Sequence, residues 1–94
     1  MSFRTWNTGL PTTQEYMERV VDALVTPRDG TSLLDVGYAS AEVDDGWEAC
    51  GTGVNGGYHD AAGHPLVNTT RFPSIKALVA YGRAKGVGIG WYLN

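Results

Sequence analysis

Cysteine is nearly missing from these 94 residues: Cys50 stands alone, so no disulfide can close within the chain. Basic clusters are missing as well. Seven Lys/Arg face ten Asp/Glu, for a net charge of −3, and the electrostatic footprint of a nucleic-acid binder is not there. No apolar run approaches the roughly 20 residues of a membrane span. The opening MSFRTWNTG has neither the basic segment nor the apolar stretch of a secretory leader. With 43% apolar and 18% charged residues, the composition also excludes a disordered polyelectrolyte. A chain this short supplies at most one small domain, and its core would be marginal without outside support.

What is present alternates. SFRTWN (2–7) is strand-compatible. A helix follows, opened by a capping box of Thr12 with Glu15 and carrying Met17, Val20, Val21 and Leu24 on one stripe until Pro27 and Gly30 stop it. SLLDVGY reads as a helical turn broken at Gly37. Residues 39–45, ASAEVDD, read as a strand ending at two acids. A second helix is expected in PSIKALVAYGRAKG, with Ser74 as N-cap, Ile75, Leu78 and Val79 as its stripe, and Gly86 in the left-handed position after it. VGIGWYLN closes as a strand with Val87, Ile89 and Trp91 on one face and Gly88, Gly90 and Tyr92 on the other. Strands alternating with helices imply a parallel α/β sheet. Three such strands with two helices leave one sheet face uncovered, and parallel sheets normally bury both. The expectation is a piece of something larger.

Between the second strand and second helix lies a loop from Gly46 to Phe72 with six glycines and a hairpin expected around DAAGHPL. Loops of this length in compact domains usually serve function. Its GTGVNGG lacks the lysine–hydroxyl pair of a phosphate cradle and reads as a flexible turn. His59, Asp60 and His64 follow no metal-ligand spacing, and surface histidines are the plainer reading. Cys50 has no base beside it in sequence that would make it a nucleophile.

The strand ends are more informative, because α/β folds gather function at the carboxyl ends of their strands. Trp6, Asp44–Asp45 and Tyr92 each sit at such an end. Carboxylates accept hydrogen bonds from sugar hydroxyls, and an indole face packs against pyranose C–H groups. A turn aspartate and two core aromatics remain the alternative. Adjacent strand residues project to opposite faces, so Asp44 and Asp45 cannot flank one glycosidic bond as the paired acids of a retaining glycosidase, which stand about 5–5.5 Å apart. At a frayed strand end both can still reach one ligand, each taking different hydroxyls, so binding suits them better.

The segments FRTWN, VDDGW, RFPSIKAL and GIGWY, in this order, resemble the start of glycoside hydrolase family 27, the α-galactosidases. The resemblance runs over nearly the whole chain and is weakest at 25–38. It implies a partial (β/α)8 TIM barrel, in which residues 1–94 supply strands one to three, two helices and the long loop after the second strand. Such a barrel needs roughly 250 residues. It implies a retaining glycosidase acting on terminal α-galactosyl groups, or the α-N-acetylgalactosaminidase variant, with no cofactor. Its nucleophile and acid/base aspartates would lie on strands beyond Asn94, so no catalytic residue is expected within the chain. Trp6 matches the indole lining the galactose site, Asp44 and Asp45 the pair that binds hydroxyls around O4 and O6, Tyr92 the phenol ending the third strand, and Trp47 a structural tryptophan. The implied partners are a galactoside and the rest of the barrel, with no nucleic acid or membrane. A cysteine after the third strand would pair with Cys50. Two departures stand out: Gly46 occupies a position that is often cysteine, and Ser2 beside Met1 replaces an opening glycine, as a truncated start would. A carbohydrate-binding module that works as it stands is the competing expectation, from a different class.

Overall fold

The computed structural model describes residues 1–6 and 8–92; Asn7, Leu93 and Asn94, at the ends of the expected first and last strands, lie outside the described residues. The elements run β1 (Ser2–Arg4), α1 (Gln14–Val25), β2 (Ser40–Val43), α2 (Ile75–Ala84) and β3 (Gly88–Trp91). The strands form one parallel sheet in the order β1-β2-β3. The expected strand–helix alternation is therefore present, and each strand is shorter than the sequence pattern suggested.

Register sorts the residues into two faces. Phe3, Ala41 and Ile89 align across the sheet, with Val43 opposite Trp91. These odd-numbered positions face the helices and join the core of Met17, Val21, Leu24, Phe72, Leu78 and Val87. The α1 stripe is buried as its spacing requires. On α2, Leu78 and Gly82 are buried, while Ile75 and Val79 are half-buried. Gly82 is there because of close approach: a Cβ would come within 2.6 Å of the Val87 carbonyl. Phe72 and Trp91 meet edge to face with centroids 5.7 Å apart, so the end of the long loop closes the core.

The start of α1 differs from its reading. The N-cap is Thr13, whose Oγ1 accepts from Tyr16 N–H at 3.1 Å, in place of Thr12. Either threonine can cap, and tertiary contacts decide between them. The Gln14 N–H donates to the Arg71 carbonyl at 2.8 Å, and its Oε1 accepts from Ser74 N–H at 2.8 Å, which fixes the first turn one residue later. Glu15 instead pairs with Arg19. Across the helix pair, the Tyr81 hydroxyl donates to Asp22 Oδ1 at 2.5 Å and Lys85 Nζ lies 3.3 Å from the same oxygen.

The second helix is capped by Ser74, as expected, and Gly86 takes φ +79° after its end. A short 3-10 turn at Leu34–Val36 stops at Gly37 with φ 104°. The 46–72 loop is ordered by its own hydrogen bonds. His59 and Pro65 bridge as the expected hairpin, and Glu48 bridges Val67. The GTGVNGG segment is not a slack turn: N–H groups of Gly51 and Gly53 both donate to the Gly57 carbonyl. A Cβ at Gly53 would fall 2.4 Å from the His59 carbonyl oxygen, so only glycine fits that crossing.

Candidate functional site

The even-numbered positions make the other sheet face: Ser2, Ser40 and Gly88 align, then Arg4, Glu42 and Gly90. No described element covers it. Just beyond the strands lie Trp6, two residues past the end of β1, and Asp44 and Tyr92, one residue past the ends of β2 and β3. These three, with Asp45 and Arg4, line one open hollow of about 430 Å³ at the carboxyl ends of the strands.

The sequence-derived residues thus meet. Asp45 joins because β2 stops at Val43, and without strand geometry two neighbouring acids no longer need to point apart. Asp44 is 7% exposed. Its N–H donates to the Thr5 hydroxyl at 2.9 Å, and its Oδ1 accepts from Asp45 N–H at 2.8 Å. Asp45 is exposed and accepts from Gly46 N–H at 3.0 Å. Gly46 turns the chain with φ 114°, a conformation that disfavours any side chain at this position. Trp6 is 71% exposed and Tyr92 38%. An indole left open at the rim has a free face for a ligand to stack on. Behind the acids, Trp47 is buried, packs edge-on against Trp91 at 5.8 Å, and donates Nε1–H to the Tyr92 carbonyl at 2.8 Å. It anchors the ends of β2 and β3 to each other, in keeping with a structural role.

Four residues near the site, Arg4, Glu42, Glu48 and Arg71, are not among the sequence-derived candidates. Arg4 donates through Nε to Glu42 Oε2 at 2.7 Å and also through Nη2, while Nη1 stands 3.8 Å from Asp44 Oδ2. These carboxylates, Glu42 first, hold the arginine pKa above its ordinary value. Glu48 is 5% exposed and accepts from Gly46 N–H at 3.0 Å. Arg71 Nη1 donates to the Gly46 carbonyl at 3.3 Å. The period-two spacing of Arg4 with Trp6, and of Glu42 with Asp44, was the available signal; strand register was the missing step.

The remaining candidates lie elsewhere. Cys50 is exposed in the loop. Asp60 Oδ1 accepts from the N–H groups of Ala62 and His64, both at 2.9 Å, which makes it a turn-forming residue. Among the described residues no three His, Cys, Asp or Glu side chains are grouped to hold a metal ion.

No protein-family model matches the sequence, and no curated protein matches it significantly. Solved structures do match. Two Bacteroides fragilis NCTC 9343 proteins, one assigned as an α-galactosidase and one as an α-galactosidase/melibiase, each superpose with a TM-score of 0.77 at 31% identity over 98% of this chain. α-Galactosidase I from Mortierella vinacea superposes with a TM-score of 0.78 at 26% identity, again over 98%. The chain spans about a fifth of these proteins' length, 18% of either Bacteroides protein and 21% of the Mortierella one. Three parallel strands and two helices in this arrangement give the chain an α-galactosidase-like fold.

Proposed function

We propose that residues 1–94 form the first three strands of a (β/α)8 barrel of glycoside hydrolase family 27, and that they supply part of the galactose-binding pocket of a retaining α-galactosidase. Trp6 would stack on the sugar's apolar face, Asp44 and Asp45 would take hydroxyls around O4 and O6, and Tyr92 would add a phenol at the third strand end. The observation that carries this reading is the shared hollow: an indole, two carboxylates and a phenol converge at the carboxyl ends of all three parallel strands, where barrels of this class hold their sites. Its support from outside the chain is the likeness of fold to α-galactosidases.

In this reading the chain binds and does not cleave. Cleavage with retention requires a nucleophile and an acid/base carboxyl on opposite sides of the scissile bond. Asp44 and Asp45 stand side by side on one wall, so both catalytic groups would come from later strands. The bare sheet face would be the barrel's inner wall, and exposed Cys50 would pair with a cysteine from later in the barrel.

The test is a titration of the 15N-labelled chain with methyl α-D-galactopyranoside, followed by amide shifts, beside an assay with an aryl α-galactoside. Shifts at Asp44, Asp45, Gly46 and Tyr92, lost in Asp45→Ala, with no turnover, are expected. Turnover abolished by Asp45→Ala would refute the division of labour; shifts scattered over the helices would refute the site.

A further inference from the structure

The four residues assigned to the sugar leave one lining residue without a part. Arg4 shares their face of β1, two positions before Trp6, and borders the same hollow. An arginine in a sugar site has two obvious uses: it can recruit an anionic substituent, or it can organise the acids around it. The contacts favour the second. Nε and Nη2 are both given to Glu42, and Nη1 faces Asp44. Asp44 in turn has its Oδ1 tied by the Asp45 N–H, which leaves Oδ2 as the oxygen nearest Arg4, and both residues line the hollow.

We propose that Arg4, braced by Glu42, is a positioning residue that fixes the Asp44 carboxylate for ligand hydroxyls, and that the same pairing limits the hollow to sugars carrying no negative charge. The first half rests on geometry; the second rests on the galactoside reading. With Glu48 and Arg71 at Gly46 counted as well, two guanidiniums, Arg4 and Arg71, stand among four carboxylates, Glu42, Asp44, Asp45 and Glu48, so the local field is negative and repels an anionic sugar. The role calls for arginine, because a planar fork addresses two carboxylates at once and an ammonium is a single point.

Two measurements on the 94-residue chain test the two halves. Hydrogen exchange of the Asp45 amide, which donates to Asp44 Oδ1, reports carboxylate order without any sugar. In Arg4→Gln it accelerates about two- to fivefold, the scale of a partly exposed ion pair, while core amides of Val21 and Leu78 keep their protection. Arg4→Lys restores it only in part. An unchanged Asp45 rate in Arg4→Gln, or full restoration by lysine, overturns the positioning role. Should Arg4→Gln lose core protection, Glu42→Gln gives the same reading by removing the brace alone: a faster Asp45 amide supports the role and an unchanged one overturns it. The second measurement titrates wild-type chain with methyl α-D-galactopyranoside and with its 6-carboxylate analogue. The neutral sugar binds at least about tenfold tighter, since like charges brought together cost heavily. Equal or tighter binding of the carboxylate overturns the charge restriction. If neither sugar binds, the galactoside reading and the restriction fall together, while the exchange result on Arg4 stands by itself.

Discussion

The two faces of the three-stranded sheet follow opposite rules. On the helix side, Phe3, Ala41, Val43, Ile89 and Trp91 interlock with α1, α2 and Phe72, and even a glycine, Gly82, is filled to contact. On the bare side, the same strands present Ser2, Arg4, Ser40, Glu42, Gly88 and Gly90. Packing specifies the first face and polar pairing the second. The difference explains why the candidate site could be assembled from so few residues: the packed face fixes where the strands end, and the bare face is free to carry chemistry there. Parallel sheets ordinarily bury both faces; here the bare face carries serines, glycines and the Arg4–Glu42 ion pair.

Substitutions can break that comparison in decreasing order of effect. Phe72→Ala removes the largest fully buried side chain, and should cost about 3–5 kcal/mol. A small chain has little to spare, so urea titration followed by circular dichroism should find it largely unfolded. Gly82→Ala overpacks the same face against the Val87 carbonyl and should cost about 1–3 kcal/mol by the same assay. Acid should act more gently. Asp22, Asp35 and Asp60 have pKa values below the ordinary 3.8, because Tyr81, Ser32 and the His64 backbone N–H respectively donate to them. The unfolded chain therefore binds more protons. The stability they confer is present above the ordinary value and is lost as pH falls through the depressed ones. Asp22→Asn should flatten the melting temperature's dependence on pH below about 4. Gly88→Ala is the counterpart of Gly82→Ala on the bare face. Its Cβ would meet nothing closer than 3.9 Å, and the change in stability should stay within about 0.5 kcal/mol. A large loss there would mean that the bare face is packed after all.

Much of the fold was legible because two periodicities were clean. The α1 stripe, the Ser74 cap, the Gly37 break and the hairpin at His59–Pro65 follow from spacing and local turn chemistry, which act over a few residues. Boundaries were less so. Thr12 and Thr13 are equivalent caps in sequence, and the choice belongs to Arg71 and Ser74, some 60 residues away. GTGVNGG read as slack because glycine composition signals freedom, whereas Gly53 is required by the close crossing of His59. Of the site, Trp6, Asp44, Asp45 and Tyr92 could be named as strand-end residues. Arg4 and Glu42 could not be joined to them, since the Arg4–Glu42 register is set by neither strand alone.

The order of strands and helices, the buried stripes and the positions of strand-end acids and aromatics were determined by the sequence itself, because hydrophobic spacing and capping are local physical preferences. Which strand lies beside which, where each one stops, and therefore that Asp45 turns into the same hollow as Asp44 beneath Arg4, were decided only in the tertiary structure. Register and convergence depend on contacts between residues about 40 positions apart, and such contacts have no local signature to read.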